Sequence, residues 1–232
     1  MSLLLTSGII GIGLGDTAYF AAINQLGPRR ALLMETLAPP LSAVLALVFL
    51  GEQLSLLAWI GIALTLLGVG WVISERVPTA HLPGGGNLRR GIVLGALAAL
   101  GQASGAVMSR AALAETAVDP LWSTLLRLAG GLLILAALLG SQGRITQRIE
   151  PLKSYQLLGL IAIAAFFGTY LGIWLQQTSL KYAPTGIAQA LNSTSPLFIL
   201  PMAALLGERI SPRAVLGVMV ALVGIWILVS YR

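Results

Sequence analysis

The sequence predicts an all-α integral membrane protein with eight transmembrane helices. Of its 232 residues, 57% are hydrophobic and 9% are charged, whereas water-soluble domains carry roughly 25% charged residues. The apolar residues form long blocks without the alternation of β-strands, which argues against a membrane β-barrel. This composition excludes a soluble globular enzyme and a disordered chain, and it leaves a multi-pass helical membrane protein.

Eight stretches are each apolar over about 20 residues, the length that a helix needs to cross a bilayer. We name them spans A to H in chain order. They cover residues 3–25, 31–50, 54–73, 91–110, 121–139, 157–180, 186–206 and 214–229. Short connections join A to B, B to C, F to G and G to H, so these helices are expected to be antiparallel neighbours.

The chain repeats itself at an offset of 156 residues. The matched pairs are Pro28 and Pro184, Pro40 and Pro196, Glu52 and Glu208, Gly61 and Gly217, and Gly68 and Gly224. Spans A, B and C thus correspond to F, G and H. Each pair is five spans apart, an odd number, so the two copies cross the membrane in opposite directions. Inverted repeats of this kind are typical of secondary transporters with a midplane substrate site.

The repeat also divides the chain. Residues 1–75 form a first half with three spans, residues 76–90 with their glycine-rich run form the linker, and residues 91–232 form a second half with five spans. The spans that would match D and E are absent before Met1. We therefore expect an N-terminally shortened form, or a gene start that was placed late.

Short motifs recur in the same order in both halves. In the first half they are Leu26-Gly-Pro28, Leu37-Ala-Pro-Pro40, Leu50-Gly-Glu52, Gly61 and Gly68, and in the second half Ala183-Pro184, Ser195-Pro196, Leu206-Gly-Glu208, Gly217 and Gly224. The first half also carries Gly15-Asp-Thr-Ala-Tyr-Phe20. With these motifs the chain resembles the EamA family of the drug/metabolite transporter superfamily. The resemblance implies ten spans in two inverted five-helix halves, of which the first two are missing here, and it implies a transport function. Arg127 is similar to the arginine that these proteins often carry in the second helix of a half.

Two carboxylates lie within the first half's spans, Asp16 near the middle of A and Glu35 in B. An ionisable group at the centre of a span costs roughly 2.5–3.5 kcal/mol on insertion scales, so it persists where it is paired or faces a cavity. We interpret Asp16 and Glu35 as proton-coupling residues or as a site for a substrate amine. The alternative is a pair of buried, hydrogen-bonded carboxyls that hold helices together.

Arg127 lies inside span E. A guanidinium at this depth binds a substrate carboxylate through two parallel hydrogen bonds, which makes Arg127 a candidate substrate-binding residue. Two other roles are possible for this side chain: it snorkels to the membrane interface, or it forms a structural ion pair.

Prolines interrupt the matching spans B and G, at Pro40 beside Pro39 and at Pro196. A proline donates no backbone hydrogen bond and displaces the carbonyl four residues earlier. Interrupted helices at corresponding positions in two halves point to a transport site, so Pro40 and Pro196 are expected helix kinks that expose backbone acceptors. Membrane helices also tolerate proline for structural reasons.

Spans F and G carry polar and aromatic side chains with helical spacing. Tyr170, Trp174 and Gln177 fall on one face of F, and Gln189 and Asn192 share a face of G. We predict that these five residues bind substrate in a polar cavity. Hydrogen bonding between helices and, for the aromatic residues, core packing are the alternatives.

Two further features are read as structural. Glu52 and Glu208 each follow a glycine at a tight turn and are expected to cap the next helix, where a carboxylate is favourable. Arg110 ends span D and is expected to anchor that helix at the interface.

Together these features predict a secondary transporter of small polar metabolites, including amino acids or related compounds, with export favoured, alternating access and proton coupling. The alternative is a non-transporting, truncated membrane protein or a helical partner subunit. An enzyme is not expected, because the chain has no cysteine and His81 is its single histidine. We expect no metal and no cofactor.

The expected partners are a small-molecule substrate and the lipid bilayer, with a second copy of the chain as a candidate and no nucleic acid. The expected location is a bacterial inner membrane, with the chain crossing it several times.

Overall fold

A computed structural model describes residues 1–75, 87–141, 155–198 and 211–230. Within these ranges the chain forms helices and turns, with no β-strand. Seven helical stretches among the described residues are long and apolar enough to cross a membrane, and one of them, Arg30–Leu50, is interrupted at residues 36–37. The all-α prediction is therefore confirmed. Most of the predicted linker, the second part of span G and Glu208 lie outside the described residues.

Nine helices cover the described ranges. They are α1 (Ser2–Leu26), α2 (Pro28–Glu35), α3 (Ala38–Leu50), α4 (Leu56–Glu75), α5 (Leu88–Leu113), α6 (Pro120–Ser141), α7 (Tyr155–Tyr182), α8 (Thr185–Asn192) and α9 (Pro212–Ser230). A 3-10 turn, Ser195–Phe198, follows α8. Span B is divided into α2 and α3, and the described part of span G consists of α8 and the 3-10 turn. Each of the other six spans is one helix.

Residue types at the turns explain where several helices begin and end. Gly27 has a φ of +81° and Gly51 a φ of +68°, a conformation that glycine adopts without steric cost. Gly27 ends α1, and Pro28 then begins α2, where its missing N–H is not needed. The Asn87 side chain caps α5 by accepting a hydrogen bond from the Arg90 N–H at 3.1 Å.

Helices α4 and α9 pack against each other through the glycines that the repeat relates. A Cβ built on Gly68 would lie 2.4 Å from the Ala221 nitrogen and 2.5 Å from the Gly217 oxygen. A Cβ on Gly61 would lie 3.2 Å from the Gly224 oxygen. Because Gly61 meets Gly224 while Gly68 meets Gly217, the two helices run antiparallel. Equivalent helices of the two halves thus point in opposite directions, as an inverted repeat requires.

Helix α1 packs between α5 and α6. Its contact with α5 is made by glycines on both sides: a Cβ on Gly105 would lie 3.0 Å from the Gly11 Cα, and one on Gly101 would lie 3.0 Å from the Gly15 Cα. Small residues allow membrane helices to approach at backbone distance. The first half is therefore joined directly to the first two helices of the second half.

Helix α7, the equivalent of α1, has two different parts. Residues 159–169 are exposed throughout, whereas the following part, Leu171–Tyr182, packs against α5 and α6. Both α1 and α7 contain a π-helical segment, Ile9–Asp16 in α1 and Ala165–Tyr170 in α7. The starts of these segments are 156 residues apart, so the backbone irregularity obeys the same repeat as the sequence.

Candidate functional site

Two helices are interrupted at matching places. Helix α2 ends at Glu35 and α3 begins at Ala38, while α8 ends at Asn192 and the 3-10 turn begins at Ser195. At the offset of 156, residues 36–37 correspond to residues 192–193, so the two interruptions agree in position to within one residue. Pro40 lies in the first turn of α3, and Pro196 is the second residue of the 3-10 turn.

The prolines at both interruptions affect backbone carbonyl groups of the preceding turn. Pro39 and Pro40 have no N–H to offer to the Glu35 and Thr36 carbonyls. In the second half, the Asn192 carbonyl accepts a hydrogen bond from the Ser195 hydroxyl at 2.8 Å. Of the Glu35, Thr36 and Asn192 carbonyls, the last is therefore already hydrogen-bonded to a side chain.

A cavity of about 410 Å³ lies between the two interruptions. It is lined by Leu32, Glu35, Thr36, Ala38, Val69, Ile73, Gln102, Gln176, Gln189, Asn192, Ser193, Ser195 and Pro196. The first five of these residues and Ile73 come from the first half, and the others come from the second. The cavity is therefore shared between the halves, at the place that the repeat predicts for a substrate site.

Amide and hydroxyl groups dominate the polar part of this lining. Across the cavity wall, Gln176 of α7 donates a hydrogen bond from Nε2 to Gln189 Oε1 of α8 at 3.0 Å. Among the described residues that line the cavity, Glu35 is the one ionisable group. The described chain holds no group of three or more histidine, cysteine or acidic residues placed for a metal ion.

Asp16 lies directly behind the cavity wall. Its Oδ1 accepts a hydrogen bond at 2.9 Å from Nε2 of Gln102, which lines the cavity. Glu35 interacts electrostatically with Asp16, and its carboxylate and the Tyr19 hydroxyl lie within hydrogen-bonding range. The two predicted proton-coupling residues thus lie close together. Glu35 lines the cavity, and Asp16 is hydrogen-bonded to the cavity-lining Gln102.

Arg127 is 1% exposed and lies beneath the π segment of α1. Its Nη1 donates to Ser109 Oγ and to Gln177 Oε1, each at 3.1 Å. Gln177 in turn donates to the Ser123 hydroxyl. The Arg127 Nε has no hydrogen-bond partner among the described residues. The guanidinium is therefore held by neutral groups of α5 and α7.

The countercharge for Arg127 comes from Asp16, with which it interacts electrostatically. The acceptors that the guanidinium bonds are nevertheless Ser109 and Gln177, not a carboxylate. Two opposite charges attract each other far more strongly across a low-dielectric interior than across water. Asp16 and Arg127 therefore form one electrostatic unit that reaches the cavity through Gln102.

The predicted substrate-binding residues fall into three groups. Gln189 and Asn192 line the cavity, whereas Arg127 and Gln177 belong to the network behind it. Tyr170 and Trp174 are half-buried on α7 and are not among the cavity-lining residues; the Tyr170 ring stacks on Phe166 with centroids 5.7 Å apart. Pro196 lines the cavity, while Pro40 lines a separate apolar groove of about 760 Å³ beside α4.

Gln176 and Tyr19 complete the site, and sequence reasoning missed both. Gln176 precedes Gln177, and the spacing from Tyr170 favoured the face that carries Gln177. The choice between adjacent residues depends on the rotation of α7, which the π segment at Ala165–Tyr170 changes. Tyr19 follows Asp16 by three residues and shares its helical face, so that spacing was the available signal.

Comparisons with known proteins agree with this architecture. A solved structure described as "Crystal structure of protein" aligns with a TM-score of 0.71 at 18% sequence identity, covering 100% of this chain and 80% of that chain. At this identity the likeness shows a shared fold alone. A comparison with curated proteins finds no match. The model of the EamA-like transporter family matches residues 1–74 and 89–230, and the chain therefore belongs to that family.

Proposed function

We propose that this protein is a secondary transporter that moves small polar metabolites across the membrane by alternating access. Amino acids or related compounds are the favoured substrates, export is the favoured direction, and transport is coupled to protons. The observation that carries the proposal is the cavity shared by the two halves beside their matching helix interruptions. Broken helices that meet at the interface of inverted repeats create such sites in other transporters.

The lining suits a solute of modest size that carries an amine. A volume of about 410 Å³ lies within the range of small-molecule sites. Gln102, Gln176, Gln189 and Asn192 offer both donors and acceptors, and Glu35 offers a negative charge. An amino group placed near Glu35, with its polar remainder on the amides, uses these groups together.

Proton coupling follows from the position of Asp16. While it is ionised, Asp16 accepts the hydrogen bond from Gln102 and balances the charge of Arg127. A proton on Asp16 would remove that balance and add a donor, which changes the partners available to Gln102 in the cavity wall. Glu35, close to Asp16, would link the same proton to substrate in the cavity.

Arg127 and Gln177 enter the proposal through this network. In the described conformation their side chains bind each other behind the wall, so direct contact with a substrate carboxylate stays a prediction that needs a rearrangement of α7. The same holds for Tyr170 and Trp174.

The test is solute-driven proton movement in proteoliposomes that enclose a pH-sensitive dye. The panel contains amino acids, amines of matching carbon skeleton and matching carboxylates. For the wild-type chain we expect proton movement with at least one amine-bearing solute. In Asp16→Asn we expect this movement to fall by roughly 100-fold or more, because a positioned group that transfers protons typically contributes about 10²- to 10⁴-fold.

Glu115→Gln is the matched control, since it removes one carboxylate that is exposed and outside the spans. It should leave the proton movement unchanged. Unchanged pH-dependent flux in Asp16→Asn would remove Asp16 from the mechanism.

One observation favours the second candidate function, a helical partner subunit. Residues 159–169 of α7 are all exposed and include Phe166 and Phe167, whose exposed fractions are 52% and 63%. Such a face suits contact with further membrane helices as well as with lipid. The flux assay separates the two functions: a folded chain that moves no solute alone, yet does so when further helices are supplied, would be a partner subunit.

A further inference from the structure

One end of the helix bundle is closed by a cluster of polar contacts that the proposed function does not use. This is the end at which α3 ends and α8 begins, and we call it the latch end. Glu52, in the turn between α3 and α4, accepts a hydrogen bond from Arg110 Nε at 2.6 Å on Oε1. Its Oε2 accepts a second from the Thr185 N–H, the first of α8, at 2.8 Å.

This arrangement differs from the capping role that the sequence suggested. Glu52 caps a helix, as expected, but the helix is α8 of the second half, not the next helix in the chain. The start of α4 is capped by Ser55, whose hydroxyl accepts a hydrogen bond from the Ala58 N–H at 3.2 Å. The Glu52 carboxylate therefore joins the two halves.

Arg110 extends the same junction to α7. Its Nη1 donates to the Leu180 carbonyl at 2.9 Å and to the Lys181 carbonyl at 2.7 Å, at the end of that helix. A cation is favourable at a helix C-terminus and an anion at a helix N-terminus. Each member of the Glu52–Arg110 pair thus neutralises its partner and the helix end that it touches.

The junction is connected to the cavity by one turn of α8. Thr185, at the junction, precedes Gln189, in the cavity wall, by four residues. Between them, Gly186 lies so close to α3 that a Cβ would come within 2.6 Å of the Ala43 Cβ. Ala188 and Leu180 pack with Leu113 in a buried apolar cluster at the same end. Polar contacts and close packing therefore hold α8 against its neighbours at this end.

We infer that Glu52 and Arg110 form a latch between the halves, which holds α8 in place and closes the cavity at this end. The inference rests on the proposed function, because alternating access requires this end to open at another stage of the cycle. Opening moves α8 away from α3, so the Thr185 N–H must leave Glu52. Glu52 is then a positioning residue of the transport cycle that acts on the cavity through α8.

The native chain has no cysteine, so a single thiol reports on access to the cavity. In Ser193→Cys, the thiol lies in the cavity lining. A membrane-impermeant maleimide is added to one face of the membrane at a time. We expect slow labelling from the latch end in this background. Glu52→Gln should accelerate it roughly five- to thirty-fold, because a charge-assisted hydrogen bond and a helix cap are both weakened.

Labelling from the opposite face separates a latch from general destabilisation. A latch predicts that Glu52→Gln leaves this second rate unchanged or lowers it, and Arg110→Gln should act in the same direction as Glu52→Gln. Glu115→Gln, the exposed carboxylate, should change neither rate. The inference would be overturned if Glu52→Gln left the labelling rate of Ser193→Cys from the latch end unchanged. It would also be overturned if Glu52→Gln raised the labelling rates from both faces together.

The charge-swapped variant Glu52→Arg with Arg110→Glu tests the role of the helix ends. It restores an ion pair but places a cation at the start of α8 and an anion at the end of α7, so labelling should stay fast. A return to slow labelling would show that the pair acts without the helix ends. Flux measured in the same vesicles keeps the two proposals apart: flux without a labelling shift refutes the latch alone, and a labelling shift without flux refutes transport.

Discussion

Helices α1 and α7 are equivalent by sequence, yet one is enclosed by other helices and the other is exposed over its first part. In α1 the glycines Gly8, Gly11, Gly13 and Gly15 lie where α7 has Ala164, Phe167, Thr169 and Leu171. A Cβ on Gly8 would lie 2.0 Å from the Arg127 oxygen, whereas a Cβ on Gly168 would have no atom of the described residues within 4 Å. The four glycines at which α1 meets neighbouring helices are thus replaced by larger residues at the equivalent positions of α7.

The π segment, in contrast to the glycines, is present in both helices at equivalent positions. The comparison therefore separates two properties of the repeat. The backbone irregularity belongs to the helix itself and is common to both halves, while the glycines belong to the packing around α1.

The largest expected effect is steric. Gly8→Ala places a methyl group against the α6 backbone at Arg127, where neither side can move without displacing a helix. We expect it to lower the free energy of unfolding by at least about 3 kcal/mol, the upper part of the range for overpacking. The measurement is reversible unfolding in detergent micelles, followed by circular dichroism.

Gly168→Ala is the matched substitution on α7. The open space around Gly168 predicts no loss of stability, and the better helix propensity of alanine predicts a small gain of up to about 1 kcal/mol. A comparable loss in both variants would contradict the packing difference between α1 and α7.

A smaller effect concerns charge. Asp16 of α1 corresponds to Gly172 of α7, so only the first half carries this partner for the buried Arg127. Arg127→Gln should lower stability, and the loss should be smaller in an Asp16→Asn background because the two charges have already been uncoupled. We expect a coupling free energy of roughly 1 kcal/mol or more from the double-mutant cycle. Additive effects would mean that Asp16 and Arg127 do not interact.

Much of this architecture could be predicted from the sequence because membrane helices obey simple rules. Apolar length marks each span, and glycine and proline mark close packing and interruption. The repeat pairs Gly61 with Gly217 and Gly68 with Gly224, and the same four glycines form the contact between α4 and α9 in the structure. The carboxylates Asp16 and Glu35 stood out because charge inside a span is costly.

Contacts between distant elements could not be predicted in the same way. Glu52 was expected to cap the helix that follows it, since nothing in the local sequence identifies α8 as its partner 133 residues away. Gln176 and Gln177 are neighbours, and only the path of α7 through its π segment decides which of them reaches the cavity. These features depend on tertiary geometry, which composition and spacing do not encode.

The central claim is that two inverted halves enclose a polar cavity that opens to each side in turn. The most direct measurement is labelling of Asn192→Cys with a membrane-impermeant maleimide from each face of the membrane, in the otherwise cysteine-free chain. We predict that the thiol reacts from both faces, and that a transported solute slows both reactions. A thiol that reacts from neither face, or from one face alone under every condition, would contradict alternating access at this cavity.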